Sequence, residues 1–389
     1  MTHKVAIVIP TWNHRELLMA CLASIQAQTF RDYQVIVVDD GSTDDTCQWL
    51  AQNAPDVLVV KMSANRGFAS AVNAGIQTAS SPLIFLLNND MVLAPNCVEH
   101  LVSAARRCDD SAAMFAPYVL FREKPDTVFC AGDAMLQNGR PVSIGYGVLR
   151  KEFRLTSEAF GVSAGAALYR ADLFEEIGLF DEVFGAYFED ADLSFRARLA
   201  GFRAVIVPDA LSYHVGSASL EGRHVWRAQQ CCRNHCLLVV KNMPKALLFR
   251  HGGAILREHR HQIGRVFTVA RSSKGFLYAL KKVAETLGKT LAALPHACRE
   301  RVRIQRRRKV DTQLLARMLL PVNVAERMGE RVTVTPSDTA LGPGLPSPAE
   351  LIAPRRLDVS VDPAAGDDVR INLVLADAGA RVRMCARRS

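Results

Sequence analysis

Apolar and polar residues alternate in blocks along the first part of the chain. Short runs rich in Val, Ile and Leu predict four β-strands, at Val5–Pro10, Gln34–Asp39, Val57–Lys61 and Leu83–Asn88. Between these runs, apolar residues recur at helical spacing, most clearly in the segments Asp45–Gln52 and Phe68–Thr78. This alternation of strand and helix favours parallel βαβ units with right-handed crossovers, and therefore a protein of the α/β class.

Polar residues near the predicted helix starts indicate caps. Asn13, with a glutamate three residues on, fits a capping box, and Ser42 or Thr43 fits the cap of the next helix. Pro95 suits the first position of a further helix, which the pattern extends to about Cys108. We therefore expect each of these helices to begin shortly after a strand ends.

From Ala112 the pattern changes to strands and irregular segments. The apolar runs predict six further strands, at Met114–Phe121, Thr127–Ala131, Pro141–Val148, Ser163–Tyr169, Arg203–Val207 and Leu211–His214. Two more helices are predicted at Asp172–Ile177 and Asp190–Ala200. We expect residues 1–220 to form one domain, with a mixed central sheet and helices on both faces.

Residues 221–330 have a different pattern. From Phe276 to Leu294, apolar residues fall at three- and four-residue intervals with lysines between them. This spacing predicts an amphipathic helix, which Pro295 should end. The segment Pro244–Ala270 has a similar pattern with several arginines. We therefore expect residues 221–330 to form a separate, basic helical region.

Charge separates the same regions. Residues 1–220 hold 17 Lys and Arg against 25 Asp and Glu, a net charge of −8, whereas residues 221–330 hold 23 against 7, a net charge of +16. The basic helices over residues 245–309 could contact an anionic membrane surface, or they could pack back on the first domain, and the two can coexist. Nucleic acid is not an expected partner, because few aromatic residues that could stack on bases lie among the basic ones.

The last residues, 331–389, have little of either pattern. Thr333–Pro363 is rich in Pro, Gly, Ser and Asp, which predicts a flexible linker or tail. Val369–Leu375 predicts a single strand with nothing after it. Two explanations stay open for that strand: it belongs to the tail, or it starts a domain that this chain lacks.

Apolar runs in the chain are too short for a membrane span or a signal peptide, since nowhere do about 18 apolar residues follow one another. The ten cysteines have no regular disulfide spacing, which fits a reducing compartment. We therefore expect a cytoplasmic protein, with peripheral attachment to the inner face of the membrane as a further option.

Carboxylate and amide side chains form three clusters, at Asp39-Asp40, Asn88-Asn89-Asp90 and Glu189-Asp190-Ala191-Asp192. The first two close predicted strands, and ligands of α/β proteins bind at the carboxyl ends of strands. Together the clusters predict a site for a nucleotide, a divalent metal and a general base. Each also has a purely structural explanation, either as a helix cap or as acids that favour a helix N-terminus.

Glycine and arginine add to this prediction. Gly41 allows the backbone to approach a nucleoside closely after the second strand. Gly67 precedes a predicted helix whose free N–H groups could face a diphosphate, and Arg66 could add a positive charge.

Six motifs follow one another in order, at Val8–Asn13, Val37–Asp44, Asn65–Phe68, Phe85–Asp90, Gly178–Glu182 and Phe188–Leu193. In this order they resemble the motifs of family 2 glycosyltransferases of the GT-A fold, in the rhamnosyltransferase-like branch, over about residues 4–310. The resemblance implies a Rossmann-like mixed sheet and an inverting hexosyltransferase. It also implies Mn²⁺ or Mg²⁺ as the cofactor and a nucleoside-diphosphate sugar as the donor.

The resemblance assigns roles to individual residues. Asp190 would be the general base, supported by Glu189 and Asp192, and the metal ligands would be Asn88, Asp90 and His214. Nucleotide binding would fall to Pro10, Thr11, Trp12, Asn13, Asp39, Asp40, Gly41, Ser42, Asn65, Arg66, Gly67 and Asn89. The chain departs from the family in two places: Trp12 stands where Tyr is more common, and Asn88 stands where an Asp is usual.

The predicted reaction moves a dTDP- or UDP-linked sugar, with rhamnose as one candidate, to a saccharide or lipid-linked acceptor in cell-surface polysaccharide synthesis. One alternative is a sugar-nucleotide pyrophosphorylase, which would need a Gly-rich basic loop where Thr11-Trp12-Asn13-His14 stands. Another is an inactive scaffold of a polysaccharide assembly complex, an alternative that the single carboxylate of Asn88–Asp90 keeps open.

Overall fold

The computed structural model describes residues 3–153, 157–215 and 224–322, together with four strands between residues 333 and 387. Twelve strands lie in the first 215 residues: β1 Val5–Thr11, β2 Tyr33–Asp39, β3 Leu58–Lys61, β4 Leu83–Leu87, β5 Met91–Leu93, β6 Ala112–Phe121, β7 Val128–Cys130, β8 Asp133–Met135, β9 Pro141–Ser143, β10 Glu158–Ala159, β11 Ala166–Arg170 and β12 Arg203–His214. Six α-helices accompany them: α1 Arg15–Gln26, α2 Thr46–Asn53, α3 Phe68–Thr78, α4 Cys97–Arg107, α5 Ala171–Ile177 and α6 Glu189–Leu199.

Ten of these strands form one mixed sheet. Its order is β10-β12-β6-β11-β4-β1-β2-β3, with β5 paired to β12 and β7 paired to β6. Strands β1 to β4 run parallel, whereas β11 runs antiparallel between β4 and β6. Strands β8 and β9 form a separate hairpin. The predicted α/β class and mixed sheet are confirmed.

Alternate residues of the central strands face different helices, as the two-residue period of a strand requires. On β1, Ile7 and Ile9 belong to the core that α1 and α4 cover. Ala6 and Val8 belong to the opposite core, which α3, α5 and α6 cover. Because both faces of the strands are buried, their sequences are continuously apolar.

The register of the parallel strands brings their carboxyl ends to one edge of the sheet. Thr11 at the end of β1 lies beside Asp39 at the end of β2, and Val8 pairs with Leu86 of β4. The loops that follow β1, β2 and β4 therefore meet at this edge. These loops, together with the strand ends that they follow, carry most of the residues predicted to bind the nucleotide.

Some predicted boundaries were wrong. The strand predicted at Pro141–Val148 ends at Ser143, because turns follow it. The two strands predicted at Arg203–Val207 and Leu211–His214 are one strand, β12, with an irregularity between Val207 and Leu211. The residues between Val207 and Leu211 are unpaired and interrupt the apolar pattern, but β12 pairs with β6 on both sides of them.

The basic region folds into helices, as predicted: α7 His224–Asn242, α8 Lys245–Lys274, α9 Phe276–Arg307 and α10 Thr312–Met318. Pro295 lies inside α9 and does not end it, contrary to the prediction. Arg301, beyond the proline, donates hydrogen bonds to the carbonyls of Val240 and Met243 at 2.7 Å each. Such contacts stabilise the helix past the proline, where local propensity alone would break it.

The helices share a hydrophobic core with the first 215 residues. This core joins Met135, Phe184, Phe195 and Leu199 to residues of α7, α9 and α10, such as Leu237, Leu238, Ala297 and Leu315. The helical region is thus packed against the segments that carry α6 and the β8–β9 hairpin. Among the described residues, no helix is long and apolar enough to cross a membrane.

The C-terminal residues contain more strand than the sequence predicted. Four strands form an antiparallel sheet: β13 Thr333–Pro336, β14 Leu357–Asp362, β15 Asp368–Leu375 and β16 Ala380–Arg387. The predicted strand at Val369–Leu375 is β15, and β14 and β16 pair with it on either side. It is therefore not a lone strand. Residues 337–356 of the predicted linker lie outside the described part of the chain.

Candidate active site

Asp39 and Asp40 organise the loops at the carboxyl end of β2. Asp39 accepts a hydrogen bond from the backbone N–H of Ser42 at 3.1 Å. The two oxygens of Asp40 accept the backbone N–H groups of Arg66 and Gly67, at 2.7 and 2.9 Å. Burial raises the pKa of Asp40, although these two amides oppose the shift. Asp40 thus fixes the loop that precedes α3.

The free amides predicted at the start of α3 are partly occupied. The N–H groups of Arg66 and Gly67 bond to Asp40, and that of Ala69 donates to the carbonyl of Gly185 at 3.3 Å. The backbone of Gly41 also approaches this loop closely: a β-carbon on Gly41 would lie 2.8 Å from the backbone of Ala64 and Asn65. Glycine is therefore required at position 41 for a structural reason.

Asn13 connects the loops after β1 and β2 and does not cap α1, contrary to the prediction. Its side-chain oxygen accepts the backbone N–H groups of Thr43 at 2.8 Å and Asp44 at 3.3 Å, and its own N–H donates to the hydroxyl of Ser42 at 2.8 Å. No side-chain hydrogen bond caps the start of α1 or of α2. Asn13 and Ser42, which local spacing predicted as helix caps, form hydrogen bonds between the two loops instead.

Asn88, Asp90 and His214 meet at the same edge of the sheet, where β12 pairs with β5. The Nε2 atom of His214 lies 3.3 Å from Oδ2 of Asp90, and the imidazole stacks on Phe129 with ring centroids 4.2 Å apart. Next to them, Asn89 donates a hydrogen bond to the hydroxyl of Thr11 at 3.0 Å. Of the three predicted metal ligands, Asp90 and His214 are therefore in contact, and Asn88 lies two residues before Asp90 in the same loop after β4.

The donor atoms present fit a hard divalent cation. The Oδ1 atoms of Asn88 and Asp90 are both buried and lack a hydrogen-bond partner. Unpaired buried oxygens are costly unless a ligand satisfies them, and Mg²⁺ and Mn²⁺ prefer oxygen ligands. Within the described residues, no three His, Cys, Asp or Glu side chains are arranged to hold a metal by themselves. Phosphate oxygens would have to complete the coordination shell.

The loop before α6 has an unusual backbone. Tyr187 and Phe188 have φ angles of 68° and 72°, in the left-handed region that costs non-glycine residues free energy. Asn234 of α7, fully buried, offsets this cost by donating from its side-chain amide toward the carbonyls of Phe184, Ala186 and Tyr187, at 2.7 to 3.0 Å. A residue of the helical region thus fixes the position at which Glu189 and Asp190 begin α6.

Asp190 has no cation beside it among the described residues. Its oxygens accept only backbone N–H groups, from Ala191 at 2.8 Å and from Ala164 at 3.4 Å. Burial raises the pKa of Asp190, although the amides of Ala191 and Ala164 oppose the shift. Burial, and next the charge of Asp190, raise the pKa of Glu189 well above its usual value. Its Oε2 atom is buried without a hydrogen-bond partner.

Asp192, two residues further on, has the opposite surroundings. It is completely buried and is paired with Arg196 and Lys241, each at 2.9 Å, and with the side-chain amide of Asn242 at 2.8 Å. A carboxylate enclosed in this way cannot touch a substrate. The enclosed position fits a role in holding α6, which is one form of the support for Asp190 that was predicted; that role stays a prediction.

A single turn contacts both the metal-ligand cluster and Asp190. The backbone carbonyl of Gly165 accepts the N–H of Asn88 at 2.8 Å, and the N–H of Ala164 donates to Asp190. On the other side, Gly185 bonds to the start of α3, the segment that Asp40 holds. The clusters predicted from three separate parts of the sequence are therefore neighbours in the fold.

A cavity of about 780 Å³ lies between residues 175–182, α6 and α9. None of the residues predicted for nucleotide, metal or catalysis lines it. Its walls include Asp181, to which both Lys241 and His296 bond.

Three residues of this region were not predicted from the sequence. Asn234 lies in the middle of α7 and Lys241 in its last turn, and nothing in the local pattern distinguishes them from solvent-facing polar residues. Asp133, at the start of β8, interacts electrostatically with Asp190. Asp133 is the one charged residue in the stretch Ala131–Met135, and a lone acid among apolar residues could have indicated a functional side chain.

Residues 6–178 match the model of Glycosyl transferase family 2. The predicted resemblance to family 2 glycosyltransferases is therefore confirmed for this N-terminal region, hereafter the glycosyltransferase domain. Among its relatives is an uncharacterised glycosyltransferase of Rickettsia prowazekii, 30% identical over 193 residues, which span 49% of this chain and 58% of the relative. The chain thus covers little more than half the length of that protein.

A second relative supports the predicted branch of the family. The N-acetylglucosaminyl-diphospho-decaprenol L-rhamnosyltransferase of Mycobacterium tuberculosis is 29% identical over 235 residues, which span 55% of this chain and 76% of the relative. Among solved structures, GalNAc-T7 with UDP, GalNAc and Mn²⁺ covers 74% of this chain and 57% of its own, with a TM-score of 0.51 and 15% identity. At that identity the likeness concerns the fold alone, and the predicted GT-A fold of the glycosyltransferase domain is confirmed.

Proposed function

We propose that the protein is an inverting, metal-dependent glycosyltransferase that moves a sugar from a dTDP- or UDP-linked donor to a saccharide or lipid-linked acceptor in cell-surface polysaccharide synthesis. The turn at residues 163–165 carries this proposal, because it contacts Asn88 on one side and Asp190 on the other. A leaving-group site and a general base must lie this close together for one displacement step. The name of the mycobacterial relative makes rhamnose and a polyprenyl-diphosphate saccharide the first donor sugar and acceptor to try.

The two sides of the site have different tasks. The donor side comprises the loops after β1, β2, β3 and β4, which would hold the nucleoside diphosphate. When bound at Asn88, Asp90 and His214, Mn²⁺ or Mg²⁺ supplies positive charge that stabilises the leaving diphosphate. The acceptor side comprises Asp133, Glu189 and Asp190. Asp190 takes the proton of the acceptor hydroxyl while its oxygen attacks the anomeric carbon from the face opposite the diphosphate.

Inversion follows from this arrangement. A single displacement forms the new glycosidic bond as the bond to the diphosphate breaks, and no covalent sugar–enzyme intermediate is needed. Asp190 suits the role of base because burial raises its pKa and no described cation neutralises it. Burial, and next the charge of Asp190, raise the pKa of Glu189 well above its usual value, which favours its neutral form beside the base.

The main test replaces Asp190 by asparagine. We expect Asp190→Asn to lower the transfer rate by at least about a hundredfold, while the dissociation constant for UDP or dTDP with Mn²⁺ stays within about twofold. Nucleotide release from a panel of UDP-, dTDP- and GDP-sugars would measure transfer, and calorimetry would measure binding. Asp209→Asn, at an exposed position on β12, is the matched control and should change neither quantity. Equal turnover in the Asp190 variant would refute the assignment.

The same calorimetry separates this proposal from an inactive scaffold. A glycosyltransferase should bind UDP or dTDP more tightly with Mn²⁺ than without it, and Asp90→Asn should remove the difference. A scaffold should bind neither nucleotide in a metal-dependent way.

We further propose that the helical region attaches the protein to an anionic membrane surface. Leu277, Leu280, Leu287 and Leu291 form an exposed stripe along α9, with exposed fractions of 79, 46, 39 and 66%. The stripe is about 21 Å long, at 1.5 Å per residue. Lys281, an exposed cation four residues after Leu277, lies beside it, and another face of α9 packs on α7 through Thr286. An apolar stripe flanked by cations is the arrangement that binds an anionic lipid interface.

Flotation with vesicles tests the attachment. The protein should float with vesicles that contain phosphatidylglycerol and much less with pure phosphatidylcholine. The double variant Leu280→Glu with Leu287→Glu should lose at least about tenfold in partitioning, whereas Leu58→Glu, at the exposed sheet edge, should not. Equal flotation of the double variant and the unchanged protein would contradict the proposal. If the double variant also lost self-association, the stripe would be a contact between two copies of the protein and not a membrane contact.

A further inference from the structure

Asp133 lies on the β8–β9 hairpin, close to the base of the proposed reaction. Its backbone N–H and carbonyl both bond to Gly161, at 3.0 Å each. Three residues later, the N–H of Ala164 donates to Asp190. One short segment therefore joins the hairpin that carries Asp133 to the carboxylate of Asp190.

Only one oxygen of Asp133 is engaged. Its Oδ1 atom accepts the hydroxyl of Ser143 at 3.1 Å and a weak contact from the thiol of Cys130 at 3.7 Å. No donor among the described residues bonds to Oδ2, and no described cation pairs with the side chain, which is only half-buried. Asp192 shows what a structural carboxylate of this fold looks like: it is enclosed, and several donors satisfy both of its oxygens. Asp133 has none of these features.

Among the described residues, acids and not cations lie close enough to Asp133 to affect its charge. Burial, and next the charge of Asp190, raise its pKa to about 7. The hydroxyl of Tyr169, buried without a hydrogen-bond partner, feels the charges of Asp190, Asp133 and Glu189. Near neutral pH, Asp133 can therefore either accept a hydrogen bond from a sugar hydroxyl or donate one to a sugar oxygen.

The hairpin is held rigidly at its tip. The side-chain amide of Asn138 donates to Glu258 of α8 at 3.1 Å, and the ring of His235 bonds to the carbonyl of Asn138 at 2.9 Å. The N–H of Gln137 donates to the carbonyl of Leu320 at 2.9 Å. A polar group on a preorganised element positions a substrate more accurately than one on a free loop.

We propose that Asp133 is an acceptor-binding residue, and that it and Asp190 bracket the incoming saccharide so that each carboxyl group contacts one of its hydroxyl groups. The inference rests on the proposed glycosyltransferase function and deepens it. Asp190 would take the proton from the reacting hydroxyl. Asp133 would hold a second hydroxyl of the same saccharide and so decide which one reacts.

Kinetics of Asp133→Asn test the proposal. The assay uses a donor and an acceptor with which the unchanged protein transfers, chosen from the sugar-nucleotide panel and from N-acetylglucosaminyl-diphospho-polyprenols with short prenyl chains. We expect the acceptor KM to rise by at least about tenfold, with the donor KM and the slow hydrolysis of donor by water unchanged. Ser143→Ala, which removes one of the two contacts to Oδ1, should raise the acceptor KM by a few fold. Asp110→Asn, at an exposed turn before β6, is the matched control.

Each outcome has a definite meaning. An unchanged acceptor KM in Asp133→Asn overturns the inference, and so does a loss of donor affinity, since that would place Asp133 on the donor side. Melting temperatures of all variants show whether a change comes from folding, and an unfolded Asp133→Asn would leave Ser143→Ala to decide between the outcomes. If the unchanged protein transfers to no acceptor of the panel, the proposed function fails first and takes this inference with it.

Discussion

The donor side and the acceptor side of the proposed site are held in place by different parts of the molecule. On the donor side, loops that follow neighbouring strands bond to one another, as Asp40 does to the amides of Arg66 and Gly67. On the acceptor side, the loop before α6 is fixed from α7, by Asn234 and through the ion pairs of Lys241. The donor side is therefore completed within the glycosyltransferase domain, whereas the acceptor side depends on the helices that follow it.

Donor and acceptor binding should therefore depend on different parts of the chain. A donor site built only from sheet-edge loops can keep its structure when the sequence of the helical region changes. An acceptor site that is held in place by that region would change with it. Substitutions at the points where each side is supported should therefore have separable effects.

The largest effect is expected at Lys241, which supports the acceptor side. Its ammonium group is 2% exposed and pairs with Asp181 at 2.6 Å and Asp192 at 2.9 Å. Lys241→Met would leave two buried carboxylates with less compensation, so the free energy of unfolding should fall by about 3–5 kcal/mol. Urea unfolding would measure this change. Lys245→Met, at the exposed start of α8, is the control and should change it by less than about 0.5 kcal/mol.

A smaller effect is expected at Gly41, which supports the donor side. Its φ angle is 74°, and a β-carbon would lie 2.8 Å from the backbone of Ala64 and Asn65. Gly41→Ala combines backbone strain with this clash, so it should lower the free energy of unfolding by about 3 kcal/mol. It should also weaken nucleotide binding, because the loop up to Gly67 has to move.

Gly201 provides the comparison for Gly41. Its φ angle is 93°, but nothing lies within 4 Å of an added β-carbon. Gly201→Ala should therefore show strain alone, about 1–2 kcal/mol, with nucleotide binding unchanged. If both variants lost the same stability and the same affinity, the close approach at Gly41 would have no role in holding the donor side.

The smallest effect concerns acid pH and Asp181. Burial alone would raise the pKa of Asp181, but the Lys241 ammonium and the His296 ring outweigh it and lower the pKa to about 2. Because the folded pKa lies below the unfolded value of about 3.9, this carboxylate stabilises the fold above that pH. About 2 kcal/mol should be lost as the pH falls from about 4 through 2. In Lys241→Met the loss over this range, measured by urea unfolding at each pH, should be much smaller.

The positions of the donor-side residues were easier to predict than the surroundings of the acceptor-side residues. The reason is that acceptor-side residues contact residues far away in the sequence. Asp39, Asp40 and Asn88 each end an apolar run, so their positions follow from where a strand stops. The register of parallel strands then brings them to one edge. Individual bonds were not predictable even there, since Asn13 was expected to cap a helix and instead joins two loops.

The acceptor side follows from long-range packing, which leaves little local trace. The motif at Phe188–Leu193 predicts Asp190 as the base with Asp192 in support, but nothing in it shows that Asp190 is half-exposed and Asp192 enclosed. That distinction comes from Lys241 and Asn242, about fifty residues later in the chain. The unbroken helix through Pro295 has the same origin, because tertiary contacts outweigh a local rule.

The core shared between the helices and Phe184, Phe195 and Leu199 has a consequence for protein engineering. A chimera that joined the first 220 residues to the C-terminal part of a relative would place new side chains against the underside of α6. Donor preference should survive such a graft, whereas acceptor choice should follow whichever parent supplied α7 to α10. Recombination near residue 220 would then be a simple route to new linkages from an unchanged sugar nucleotide.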